Sequence, residues 1–169
     1  MSTKFSNERS LPLHVQIRRE MERTSHTNTF ASRATDSDGQ NSNGANKILY
    51  KELSYSIVGA VIEVHRHLGP GQLESNYERA LAKELAAREI PFKRQVSIDS
   101  VYKGDVIGTF VVDMIVNDQI ILELKAVERL HPSHTAQVVS YLRTTGLRLG
   151  LLINFNEAVA WKGIRRIVS

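Results

Sequence analysis

The segment Val111–Ala126, VVDMIVNDQIILELKA, decides how this chain is read. Two apolar runs flank the turn-favouring pair Asn117-Asp118, so the segment reads as a β-hairpin. Inside those runs stand Asp113, Glu123 and Lys125. Glu123 and Lys125 are two apart, which puts them on one face of a strand, about 7 Å apart along it. The direction of Asp113 depends on the loop. A two-residue loop pairs Val116 with Gln119 and sets Asp113 opposite Leu122, on the face away from Glu123. A three-residue loop pairs Val116 with Ile120 and sets Asp113 opposite Glu123, on the same face. The apolar pattern favours neither, because both faces are apolar. Electrostatics separates them: two carboxylates within about 5 Å in a partly buried site repel unless a positive charge lies between or beside them. We therefore expect the three-residue loop and a divalent cation, with Lys125 as a further partner.

Working outward, the apolar residues Leu53, Ile57, Ala60, Val61, Val64 and Leu68 recur at steps of three and four, one face of a helix. Gly69-Pro70-Gly71 breaks it. Leu73, Tyr77, Leu81 and Leu85 make a second amphipathic helix that ends before Pro91. FKRQVSIDSVY, VIGTFVVDMIV and QIILELKAV are three strands of an antiparallel meander, separated by Lys103-Gly104-Asp105 and Asn117-Asp118. A third helix runs from His134 to Thr144 and stops at Gly146. Leu149–Phe155 is a continuously apolar strand expected to be central, and GIRRIV is a short edge strand. This order gives an α/β (α+β) fold, with helices packed on a mixed sheet.

The chain has 169 residues, of which 41% are hydrophobic, so it has the makings of one ordinary core. Composition divides it near residue 48. Ser25–Lys47 is almost wholly polar or turn-favouring, and residues 1–48 read as a disordered, low-complexity extension before a folded domain at 49–169. A net charge of +4 permits a polyanionic partner without requiring one. With no cysteine, disulfides and thiolate zinc sites are excluded. No run is long and apolar enough to span a bilayer, and no membrane partner is expected. An intracellular, cytoplasmic location is expected. The N-terminal arginines leave organelle targeting as an alternative, against which stand Glu8, Glu20, Glu22, Asp36 and Asp38.

Two carboxylates on rigid strands suit Mg²⁺ or Mn²⁺ and leave coordination positions for water and a phosphate oxygen. A lysine beside the second acid can orient that water or donate to the phosphate. The competing reading is a set of solvated ion pairs of little energy. His65, His67, His131 and His134 lack the spacing of a helical zinc motif, although His134 is placed to cap the third helix.

The pattern D-x₉-E-x-K on the second and third strands of the meander resembles the PD-(D/E)XK nuclease superfamily. Gly71, Glu74 and Tyr77 in GQLESNY resemble the naming motif of the GxxExxY proteins within it, as do IEVHRHLGPG, ELKAVERL, HTAQVVSYLR and GLLINF in that order. The resemblance covers about Leu49 to Val168. It implies a restriction-endonuclease-like αβββαβ core, with Asp113 and Glu123 as metal ligands and Lys125 as the catalytic lysine. It also implies a glutamate from an early helix, for which Glu63 and Glu74 are equal candidates. Glu74 is otherwise explained by the dipole of a helix's first turn, and Glu63 by pairing with Arg66 or His67. Gln137 and Tyr141, four apart on the third helix, resemble a pair that helps shape such sites; their other reading is a boundary residue and a core tyrosine. Val112 stands where the superfamily's name has proline, a position that carries no ligand.

Three functions follow. One is a metal-dependent nuclease acting on DNA or RNA, with Lys93, Arg94, Lys103, Arg143, Arg148, Arg165 and Arg166 as candidate phosphate contacts. Another is a catalytically inactive module that binds nucleic acid or protein on the same fold. The third is a hydrolase of small phosphate esters.

Overall fold

A computed structural model describes residues 49–169. The expectation of a disordered extension concerns residues outside these.

Helix α1 (Lys51–Leu68) buries Ile57, Ala60, Val61 and Val64 along the expected stripe, whereas Leu68 at its end stays exposed. It stops where Gly69 takes φ 63°, and the Gly69 N–H closes on the His65 carbonyl. Helix α2 (Glu74–Ala87) buries Tyr77, Leu81 and Leu85. The strands β1 (Phe92–Tyr102), β2 (Asp105–Val116) and β3 (Ile120–Lys125) form the antiparallel meander. Helix α3 (Pro132–Thr145) begins two residues earlier than the periodicity indicated, because Pro132 suits a first helical position. Strand β4 (Leu149–Asn154) is buried along its whole length, and β5 (Ile164–Val168) forms an edge after a short 3₁₀ turn at Ala160–Gly163.

The sheet order is β1-β2-β3-β4-β5, and only β3–β4 is parallel. That parallel step follows from α3, which carries the chain from one end of β3 back to the start of β4. Helices α1 and α2 cover one face through Met114, Leu122, Leu124 and Leu151, while α3 covers the other through Ile115, Ile121 and Leu152. This is the restriction-endonuclease-like αβββαβ arrangement. Among the described residues no helix is long and apolar enough to cross a membrane.

Gly150 sets the approach of α3 to the sheet. A Cβ there would meet Val138 Cγ1 well inside van der Waals contact. Gly150→Ala is expected to destabilise the fold by about 1–3 kcal/mol through overpacking. Urea denaturation checks this, and an unchanged midpoint would mean that α3 has room to yield.

Candidate active site

The register of the β2–β3 hairpin pairs Val116 with Ile120, Ile115 with Ile121 and Met114 with Leu122. The loop is therefore Asn117-Asp118-Gln119, and the next row sets Asp113 against Glu123. Backbone pairing stops before that row. There the Asp113 side chain takes over, its Oδ2 accepting the Leu124 N–H at 2.8 Å. The Asp113 carboxylate is thus held by the opposing strand's backbone while the two strands part. Burial raises the pKa of Asp113, an effect that the Leu124 amide and Lys125 oppose.

Glu123 is 2% exposed. Its Oε1 accepts from Lys125 Nζ at 2.5 Å, whereas its Oε2 is buried without a hydrogen-bond partner. Burial, then the charge of Asp113, raises its pKa to about 7, against the opposing pull of Lys125. Burial alone would lower the pKa of Lys125, but the bond to Glu123 and the charges of Glu123, Glu74 and Asp113 raise it. Lys125 is therefore a cation at neutral pH. Its strand is anchored beyond it: Asn154, its partner in β4, accepts from the Val127 N–H and donates to the Val127 carbonyl, and Phe155 N–H reaches the Lys125 carbonyl.

The two candidate glutamates separate. Glu74 opens α2 beside these strands, near the Ala126 backbone amide and within electrostatic reach of Lys125 and Asp113. Burial raises its pKa. Glu63 is instead bound by Arg66 at 2.8 Å, with His67 at 3.4 Å, on the outer side of α1. The reading of Glu63 as a surface ion pair is the one that its surroundings fit, and it is not brought to the acidic group. Glu74→Gln is expected to weaken Mn²⁺ binding by about tenfold, the usual scale for a residue supporting a metal site. Glu63→Gln should leave it within about twofold, as for an exposed ion pair. Calorimetric titration of the two variants compares them; equal losses would return Glu63 to the site.

Gln137 and Tyr141 come together on α3. Gln137 Nε2 donates to Tyr141 Oη, which donates on to the Val111 carbonyl at 3.4 Å. Tyr141 is 4% exposed, stacks on Phe110 at 4.7 Å and senses Glu123, Asp113 and Lys125. Burial raises its pKa. His134 and His131 cap α3 reciprocally, and His134 stands close enough to Lys125 for its pKa to be lowered, after the effect of burial.

The motif Gly71–Tyr77 splits between structure and site. Gly71 N–H donates to Asn156 Oδ1, and Tyr77 Oη donates to the Gly69 carbonyl and accepts from Gln72 N–H. The Tyr77 ring stacks on Phe155 at 4.3 Å. These contacts fix the loop that delivers Glu74. Among the basic residues expected to face phosphate, Lys93 is paired with Asp118, Arg94 with Glu78, and Arg166 donates to the Leu49 carbonyl.

Three contributors were missed in the sequence: Asn154, Glu78 and Gln95. Glu78 is 8% exposed and accepts from Arg94 Nε at 2.8 Å and Gln95 Nε2 at 2.9 Å. Its spacing of four from Glu74 on one helix face was the available signal.

The acids fit a hard cation. An orphaned, buried carboxylate oxygen on Glu123 beside a second carboxylate is an incomplete ligand set of the kind that Mg²⁺ or Mn²⁺ completes with water and substrate oxygens. Among the described residues, no three His, Cys, Asp or Glu side chains are already grouped as a cage. Mg²⁺ commonly binds through one or two carboxylates, so the absence of a cage and the orphaned oxygen are compatible.

No curated protein and no solved structure matches the chain. A family model, described as the PD-(D/E)XK nuclease superfamily, matches residues 51–167, a span that begins at α1, ends in β5 and contains every residue of this site. The observed fold agrees with that match, which covers more than half of the chain, and the chain belongs to the PD-(D/E)XK nuclease superfamily.

Proposed function

We propose that this protein is a metal-dependent nuclease of the GxxExxY group, hydrolysing phosphodiester bonds of DNA or RNA. The observation that carries the reading is the buried Glu123 carboxylate, with Oε2 unpartnered, next to Asp113 and bonded to Lys125 at the point where β2 and β3 part. Asp113 and Glu123 would hold Mg²⁺ or Mn²⁺, with Glu74 at the rim. When bound, the cation lowers the pKa of a water and neutralises charge that builds on the phosphoryl group.

The protein's own groups do the rest. Asp113 is fixed by the Leu124 amide, so its oxygen is pre-aimed and little is lost on organising it. Lys125 stays protonated, which suits it to donating a hydrogen bond to a phosphate oxygen or orienting the attacking water, and not to accepting a proton as a base. Tyr141 and Gln137 wall the site on the α3 side and hold the β2 backbone at Val111. Their role is to support the acids.

The test is cleavage of labelled single- and double-stranded DNA and RNA with Mg²⁺, Mn²⁺ or EDTA. Cutting that needs the metal supports the nuclease, and the preferred substrate names its class. A folded protein that binds nucleic acid equally well in EDTA and cuts nothing would instead be an inactive binding module on this fold.

A further inference from the structure

Row by row, β1 and β2 pair from Phe92↔Val116 to Arg94↔Met114, and again from Val96↔Val112 onward. One row is missing between them, and its members are Gln95 and Asp113. No residue is inserted in either strand, because the register is the same on both sides of the gap. Gln95 takes φ 48°, a left-handed conformation that side-chain-bearing residues seldom adopt within a strand.

At that row both strands change faces. Phe92, Met114 and Val116 pack with α1 and α2, but Val96, Ile98, Phe110 and Val112 pack with α3. Strict alternation would have kept Phe92 with Val96, and Met114 with Val112, on one face. The hairpin beyond Gln95 is therefore rolled over relative to the part that joins β3. The roll happens where Asp113 leaves the β1 ladder and bonds the Leu124 amide.

The kink is tied down from α2. Glu78, nearly buried, receives both the Gln95 side-chain amide and the neighbouring Arg94 guanidinium. A charged acceptor shared by two consecutive residues of one strand fixes the backbone between them.

We infer that Gln95 is a positioning residue: its left-handed backbone, clamped by Glu78, turns the β1–β2 hairpin so that Asp113 is released from β1 and aimed across β3 at Glu123. Gln95 touches no reacting group and acts through Asp113. The consequence for metal binding rests on the nuclease reading above, but the consequence for the Asp113–Leu124 bond does not.

The experiment compares wild type, Gln95→Ala and Gln95→Gly. Glycine adopts positive φ freely while alanine resists it, and both lack the amide that reaches Glu78. Two quantities are read on the full chain: hydrogen-exchange protection of the Leu124 amide by NMR, and Mn²⁺ affinity by calorimetry. Gln95→Ala is expected to lose about tenfold in both, the scale of a lost supporting contact at a metal site. Gln95→Gly should keep both within about threefold of wild type, since the backbone conformation is what matters. Amides of the β3–β4 pairing should stay protected in both variants, which separates a local effect from general destabilisation. Unchanged Leu124 protection in Gln95→Ala overturns the inference, as does equal loss in the two variants. If Leu124 behaves as expected while wild type binds no Mn²⁺ and cuts nothing, the nuclease reading fails and the positioning role of Gln95 stands.

Discussion

Glu123→Gln is expected to abolish metal-dependent cleavage and, at the same time, to make the metal-free protein more stable at pH 8. The two effects share one cause. In the fold, the Glu123 carboxylate is stripped of water, faces Asp113, and leaves one oxygen without a partner. Ionising it there costs free energy that a bound cation would return. An amide of the same shape carries no charge to desolvate, but it is a poor ligand for Mg²⁺ and adds no negative charge to the site. Loss of the cation's contribution to phosphoryl transfer is expected to lower the rate by about 10³-fold or more, which corresponds to about 4 kcal/mol of transition-state stabilisation. The gain in stability should be on the order of 1–3 kcal/mol, less than the full cost of the buried charge because the Lys125 bond weakens too. Cleavage rates and urea denaturation in EDTA measure the two sides. A variant that cuts as fast as wild type would remove Glu123 from the chemistry. A variant that loses both activity and stability would make Glu123 a structural residue.

The second large effect is a dependence of stability on pH that divalent metal reverses. Glu123 has a folded pKa of about 7 against a reference of 4.5, so the shift is upward. Below pH 4.5 both folded and unfolded chains hold the proton, and Glu123 contributes no pH dependence. Between 4.5 and about 7 the folded chain keeps the proton while the unfolded chain has released it, so stability falls as pH rises across this window. Above about 7 both are ionised and the loss is complete. Its size is on the order of 3 kcal/mol. The pKa values of Asp113 and Glu74 are also raised, which adds in the same direction.

In EDTA, wild type should therefore lose stability from pH 5 to pH 8 relative to Glu123→Gln, which lacks the titrating group. Taking the difference between the two proteins removes the contributions of other groups that they share. Adding Mg²⁺ at pH 8 should restore wild type and leave the variant little changed, because only an ionised site offers the ligands. A wild-type minus variant difference that is flat between pH 5 and 8 would mean that Glu123 titrates as an ordinary carboxylate. In that case the Glu123 carboxylate would need no cation to offset its burial.

The hairpin register illustrates how much the residues themselves carried. Periodicity left two registers open, since Val, Ile and Leu fill both faces of β2 and β3. The expectation of a cation to offset repulsion between the two acids selected the three-residue loop, and the pairing of Val116 with Ile120 agrees with that loop. Helix α3 and strand β4 were legible because one has clear stops and the other is an unbroken apolar run. The choice between Glu63 and Glu74 was not legible. Both lie near helix ends, both have a plausible local role, and only the packing of α2 against the end of β3 brings one of them to Lys125.

By itself, then, the sequence determined the order of elements, the meander, and the presence of Asp113, Glu123 and Lys125 at one end of it, because these follow from local periodicity and charge within a few residues. Tertiary structure alone decided that Glu78 on α2 receives Arg94 and Gln95 of β1, that Asn154 anchors the exit from β3, and that Glu63 is paired with Arg66 while Glu74 is brought near Lys125. Those facts depend on contacts between residues far apart in the chain, and on a strand that rolls over at Gln95. Alternation along a strand assumes a constant pleat, so a pattern read along the chain cannot show where the pleat is broken.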